Sequence, residues 1–138
     1  MIAAVSRVYL LAALAFTGVA LLGSLFPFDF HRVPLSDALA VFSEAGRVDP
    51  SRLSLTDAVS NFLLFVPIGL FATGALERTR PGRSGAVLVI VAATLVSVVL
   101  ELGQAFVSWR TPSSLDVVAE AAGAAAGLVL WPGGAARR

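Results

Sequence analysis

Residues Ala58 to Leu76 read AVSNFLLFVPIGLFATGAL, a stretch without a single charge. About 20 such residues in a helix span the ~30 Å hydrocarbon core of a bilayer. Two further stretches, Val8 to Phe28 and Ser84 to Leu100, are equally uncharged. A fourth, Ala121 to Trp131, is shorter and extends backward through Glu120 to Val117. A soluble helical protein with a greasy core needs more polar surface than these runs leave. The pattern therefore predicts an all-α integral membrane bundle of four transmembrane helices.

Composition agrees. Of 138 residues, 57% are hydrophobic and 14% charged, with a mean hydropathy of +0.87; an ordinary soluble domain carries nearly twice that charge. The length suits a single domain over residues 1–138. There is no cysteine, which excludes disulfides and thiolate metal sites. Every basic residue is arginine, and a net charge of +1 gives no reason to expect a nucleic-acid partner. The run after Arg7 is too long for a usual signal peptide and lacks a small-x-small cleavage site, so it reads as an uncleaved first helix.

The expected helices cover about residues 6–26, 56–76, 84–109 and 114–131. Pro27 ends the first, and Pro67 removes a backbone donor inside the second, which predicts a kink there. In the long loop 29–55, Leu35, Ala38, Leu39 and Phe42 fall at helical spacing, with Ser36 before Asp37 in the manner of an N-cap. That pattern predicts a short interfacial helix. Short segments carrying Arg7, then Arg78, Arg80 and Arg83, then Arg137 and Arg138, favour cytoplasmic termini and an extracytoplasmic loop 29–55. In that loop Arg32, Arg47 and Arg52 are outnumbered by Asp29, Asp37, Glu44, Asp49 and Asp57.

On this topology the polar side chains converge. Asp57 and Asn61 lie in the first turns of the second helix, Asp116 and Glu120 in those of the fourth. Glu101, Gln104 and Ser108 lie near the end of the third, on one face, and Arg110 follows. Carboxylates at membrane depth are costly and normally face a bundle interior or a water-filled cavity, so Glu101 and Glu120, the deepest, stand out. Structural readings run beside this one. Ser54 to Asp57 and Ser113 to Asp116 each fit a capping box. Glu101 with Arg110 fits an ion pair if the helix ends between them. Gly123 and Gly127 fit a close helix-packing face, and His31, the single histidine, fits a solvated loop residue.

The motifs together resemble the VanZ-like family: Asn61-Phe62-Leu63-Leu64-Phe65-Val66-Pro67-Ile68-Gly69, then Glu101-Leu102-Gly103-Gln104, Arg110, and Ser114-Leu115-Asp116 leading to Gly123 and Gly127. The resemblance covers roughly residues 54 to 130 and preserves order and spacing. It implies a small multi-pass protein of the bacterial inner membrane, related to one associated with resistance to the glycopeptide teicoplanin. Where the family often has Asn four residues after the Asp, this chain has Glu120.

Three functions compete. The chain binds a cell-envelope lipid or lipoglycopeptide at the outer leaflet; or it is an enzyme acting on a lipid-linked phosphate or glycan; or it is a structural or interaction protein. Under the enzyme reading Glu101, Asp116 and Glu120 are the catalytic candidates. Under both of the first two, Asn61, Gln104 and Arg110 bind the ligand. Pro67, Gly69, Gly123 and Gly127 are expected to be structural. No resident cofactor or metal site is expected, although the carboxylates are suited to a divalent cation. Membrane lipids are the expected partners, and self-association stays open.

Overall fold

The computed structural model describes residues 2–44 and 54–132, with side chains from residue 5 onward. Five helices form: α1 (Ile2–Leu25), α2 (Leu35–Glu44), α3 (Leu55–Leu76), α4 (Arg83–Gln104) and α5 (Ser114–Leu130). Among the described residues there is no strand, and the fold is all-α. Arg47, Asp49, Arg52, Arg137 and Arg138, which bear on the expected orientation, lie outside the described residues.

Among the described residues three helices are long and apolar enough to cross a membrane: Val5–Leu25, Leu55–Leu76 and Arg83–Gln104, with mean hydropathies of 2.1, 1.8 and 2.5. They mark a membrane protein. At 1.5 Å per residue the 17 residues of α5 reach only ~25 Å, short of a ~30 Å core. Four spans were expected; three are identified, and α5 is the one that falls short.

Large apolar side chains point outward, among them Leu11, Leu95 and Val99, while the interior is made mostly of small ones, Ala13, Ala20, Ala93 and Ala124, around Phe65, Ile68 and Leu100. This is the economy of a lipid-facing bundle, where close approach of backbones replaces the hydrophobic driving force. The tightest pair is α3 with α5. A Cβ on Gly123 would strike the Phe62 carbonyl oxygen, one on Gly127 that of Val66, and one on Gly69 that of Ala124. At these glycines the backbones of α3 and α5 approach directly. α3 runs through Pro67 as one helix.

Three expectations need correction. α4 stops at Gln104 and not near Trp109. Phe106 and Val107 turn back onto the carbonyls of Gly103 and Gln104, and the chain then pairs with residues 29–31. His31 donates to Phe106 at 3.0 Å and Ser108 to Asp29 at 3.0 Å, around the Phe30–Val107 bridge. These tertiary bonds take over backbone groups that the helix would have used, and Ser108 leaves the Glu101 face. Second, Ser36 does not cap α2; the helix begins on the Pro34 carbonyl, which accepts from Asp37 and Ala38. Third, Ser113 stands at the N-cap of α5 but its side chain makes no capping bond, whereas Ser54 does accept from the Asp57 amide at 3.2 Å.

Candidate functional site

The helices alternate in direction, so the C-termini of α1 and α4 meet the N-termini of α3 and α5 at one end of the bundle. There they enclose a cavity of about 450 Å³. Its wall includes Asp57 and Asn61 from α3, Gln104 from α4, Asp116 from α5, and Arg110 from the connection between α4 and α5. Of the six residues singled out in the sequence for binding or chemistry, four therefore share one cavity.

Asn61 and Asp116 are joined by a side-chain hydrogen bond across α3 and α5, and Asp57 lies near enough to Asp116 for electrostatic repulsion. The bond follows from the glycine seam: with Gly123 seated on Phe62, α5 lies close enough for a short Asp to reach a short Asn. Arg110 is committed otherwise than its sequence position suggests. Its Nη2 donates to the Gly23 carbonyl at 2.7 Å and its Nε to that of Phe26 at 3.2 Å. These carbonyls lie at the end of α1, where the last turn has no intrahelical donors. Arg110 thus ties α1 to the cavity rim, with donors to spare.

Glu101 and Glu120 do not line the cavity. Both are essentially fully buried, as is Ser97. One Glu101 oxygen accepts from Gln104 Nε2 at 3.0 Å, and the other from the backbone N–H of Ser113 at 2.6 Å. Glu101 therefore fixes two pieces of the cavity wall at once, including the start of α5 that Ser113 itself leaves uncapped. Glu120 accepts a short hydrogen bond from the Ser97 hydroxyl, across α4 and α5. No described buried side-chain polar atom lacks a partner, as burial of charged or polar groups demands.

Ser97 was missed in the sequence reading. It stands four residues before Glu101 and seven before Gln104, so the three form one polar stripe along α4; that spacing was the available signal. Asp57 also lines the cavity, beyond its place beside a helix cap. His31 and Ser108 lie instead along a shallower depression on the outside of the α4–α5 connection. Among the described residues no group of three or more His, Cys, Asp or Glu is disposed to hold a metal ion.

At the opposite end Trp131 donates to Glu77 at 2.7 Å and meets Tyr9 edge-on at 5.0 Å. Phe71 stacks between Tyr9 and Phe16. Aromatic rings pack together at this end.

A family model described as VanZ/LLP1 matches residues 7–135 of this chain. No curated protein and no solved structure matches it.

Proposed function

The chain belongs to the VanZ/LLP1 family, and from that premise we propose that its cavity binds the polar part of a cell-envelope lipid or lipoglycopeptide at the outer leaflet of the bacterial inner membrane. The observation that carries this reading is the cavity wall, where Asp57, Asn61, Gln104, Arg110 and Asp116 gather at the end of otherwise apolar helices. An amphiphile matches that division. Its amines and hydroxyls meet two carboxylates and two amides, and its tail lies along exposed side chains such as Leu63 and Leu22.

The membrane arrangement that goes with this reading has four spans. α5 is held along α3 by its glycines and crosses with it, despite being shorter. Arg78, Arg80 and Arg83, in and beside the α3–α4 turn, favour the cytoplasmic side, so the cavity opens outward. α2 leaves Leu35 and Leu39 exposed and buries Ala38, a disposition suited to the interface. Sequestering such a ligand at the outer leaflet is the link to glycopeptide resistance.

The test is a binding titration of the purified full-length protein in nanodiscs, using teicoplanin and a lipid-linked peptidoglycan precursor as probes. Saturable binding of at least one probe is expected, weakened about tenfold, or ~1.4 kcal/mol, by Asp116→Asn or Asp57→Asn with thermal stability retained. Equal affinity in the wild type and both variants would remove the cavity from the binding role. Asp116, which is both acidic and on the cavity wall, supports the enzymatic alternative. Product formed from the precursor and lost in Asp116→Asn would replace binding by catalysis, with Glu101 and Glu120 the next carboxylates to test. Repeating the titration in EDTA asks whether a divalent cation takes part.

A further inference from the structure

We propose that the opposite end of the bundle holds a second site, for the phosphate headgroup of an anionic membrane phospholipid. A separate cavity of about 270 Å³ lies there, between the end of α3, the start of α4 and the end of α5. Leu76, Ala86, Leu128 and the Trp131 indole form much of its wall, and Arg80 and Arg83 stand on its rim. Among the described residues neither guanidinium has a hydrogen-bond or ion-pair partner. The acid in this cavity, Glu77, accepts from the Trp131 N–H, and the two arginines of the lining outnumber it.

The turn that carries the arginines is built. The Thr79 and Arg80 amides both donate to the Leu76 carbonyl, at 3.0 and 2.8 Å. The Arg80 carbonyl sits where a Cβ on residue 85 would stand, so Gly85 lets the turn close onto α4. Gly82, at φ 71°, supplies a left-handed conformation that other residues rarely adopt. Arg80 and Arg83 are thereby presented together, and guanidinium groups suit phosphate oxygens.

Size and lining select the ligand. Drug-sized molecules occupy pockets of roughly 300–1,000 Å³, so this one takes a headgroup and leaves the chains outside. Next in sequence to its apolar wall, Val87, Val129 and Leu130 are exposed and offer acyl chains a surface. A free phosphate would use the arginines and leave the apolar wall idle. This site is independent of the cavity at the other end.

The experiment is lipid retention by the full-length protein, measured by native mass spectrometry after transfer from nanodiscs of equimolar phosphatidylglycerol and phosphatidylcholine. Preferential retention of phosphatidylglycerol is expected. An anionic headgroup attracts each nearby arginine by roughly fivefold, so Arg80→Gln/Arg83→Gln should lower retention about 25-fold. Arg78→Gln, which lies outside the cavity lining, should leave it unchanged. Both substituted side chains are exposed, and an unaltered melting temperature in detergent checks the fold. Equal retention of the two lipids, equal loss in Arg78→Gln, or displacement of phosphatidylglycerol by millimolar inorganic phosphate would each overturn the proposal.

Discussion

α1 and α5 are both apolar, both rich in alanine and glycine, yet the bundle treats them differently. Gly18 and Gly23 of α1 have open space where a Cβ would stand, whereas Gly123 and Gly127 of α5 lie directly against the backbone of α3. α1 exposes Leu10, Leu11, Leu14 and Leu22, while α5 buries Glu120, Gly123, Ala124 and Gly127. One helix is a lipid-facing flank that packs on α3 through Ala13, Phe16 and Ala20. The other is a keystone whose close seating brings Asp116 to Asn61 and Glu120 to Ser97. A glycine thus has no fixed meaning in a membrane helix; the neighbour's backbone gives it one.

The largest expected effect breaks this difference outright. Gly127→Ala places a methyl group against carbonyl oxygen and amide nitrogen of α3, which cannot rotate away. It should cost ~2 kcal/mol or more, the upper part of the range for overpacking. Gly18→Ala should instead hold or raise stability, by up to ~1 kcal/mol, because alanine is the better helix former. Thermal unfolding of the two variants in the same detergent compares them. Equal behaviour would mean that the α3–α5 seam is not closed in solution.

Next comes the polar bond that joins α5 to α4. Ser97→Ala leaves the buried Glu120 carboxylate without its hydroxyl donor, and an unsatisfied buried acceptor costs ~1–3 kcal/mol. Ser97→Thr keeps the hydroxyl and should lose less. A Ser97→Ala protein as stable as the wild type would show that Glu120 finds another donor or water.

The smallest effect concerns the fastening of α1. Arg110→Ala removes two hydrogen bonds to the end of that helix. They are exposed to solvent, so the loss should be at most about 1 kcal/mol. Hydrogen exchange sharpens the point: the Phe26 and Phe28 amides should exchange faster, while residues around Tyr9, held by Trp131 and Phe71, stay as they are. Uniform loosening along α1 would place its fastening elsewhere.

Much of the fold was legible because bilayer-spanning helices write themselves as uncharged runs, and α1, α3 and α4 follow those runs. The end of α4 was not legible. Residues 105–109 continue an acceptable helical pattern, and only the pairing of Val107 with the segment after α1, distant in sequence, diverts them. At the site, Asn61, Gln104, Arg110 and Asp116 were expected at one end, and the four line one cavity. Their duties were less visible. Arg110 serves α1, and Glu101 fixes the start of α5, through contacts spanning many residues of sequence.

By itself the sequence determined the all-α membrane character, the family, the glycine face and the level at which polar groups gather. Each of these depends on composition and helical period, which are local. Tertiary structure alone decided which polar groups line the cavity and which are sealed behind it. Glu101 and Asp116 are both carboxylic acids near the same end of the bundle. Helix rotation and the close α3–α5 approach put Asp116 on the wall and Glu101 beneath it, because a buried carboxylic acid stays only where donors such as Gln104 and the Ser113 amide already wait.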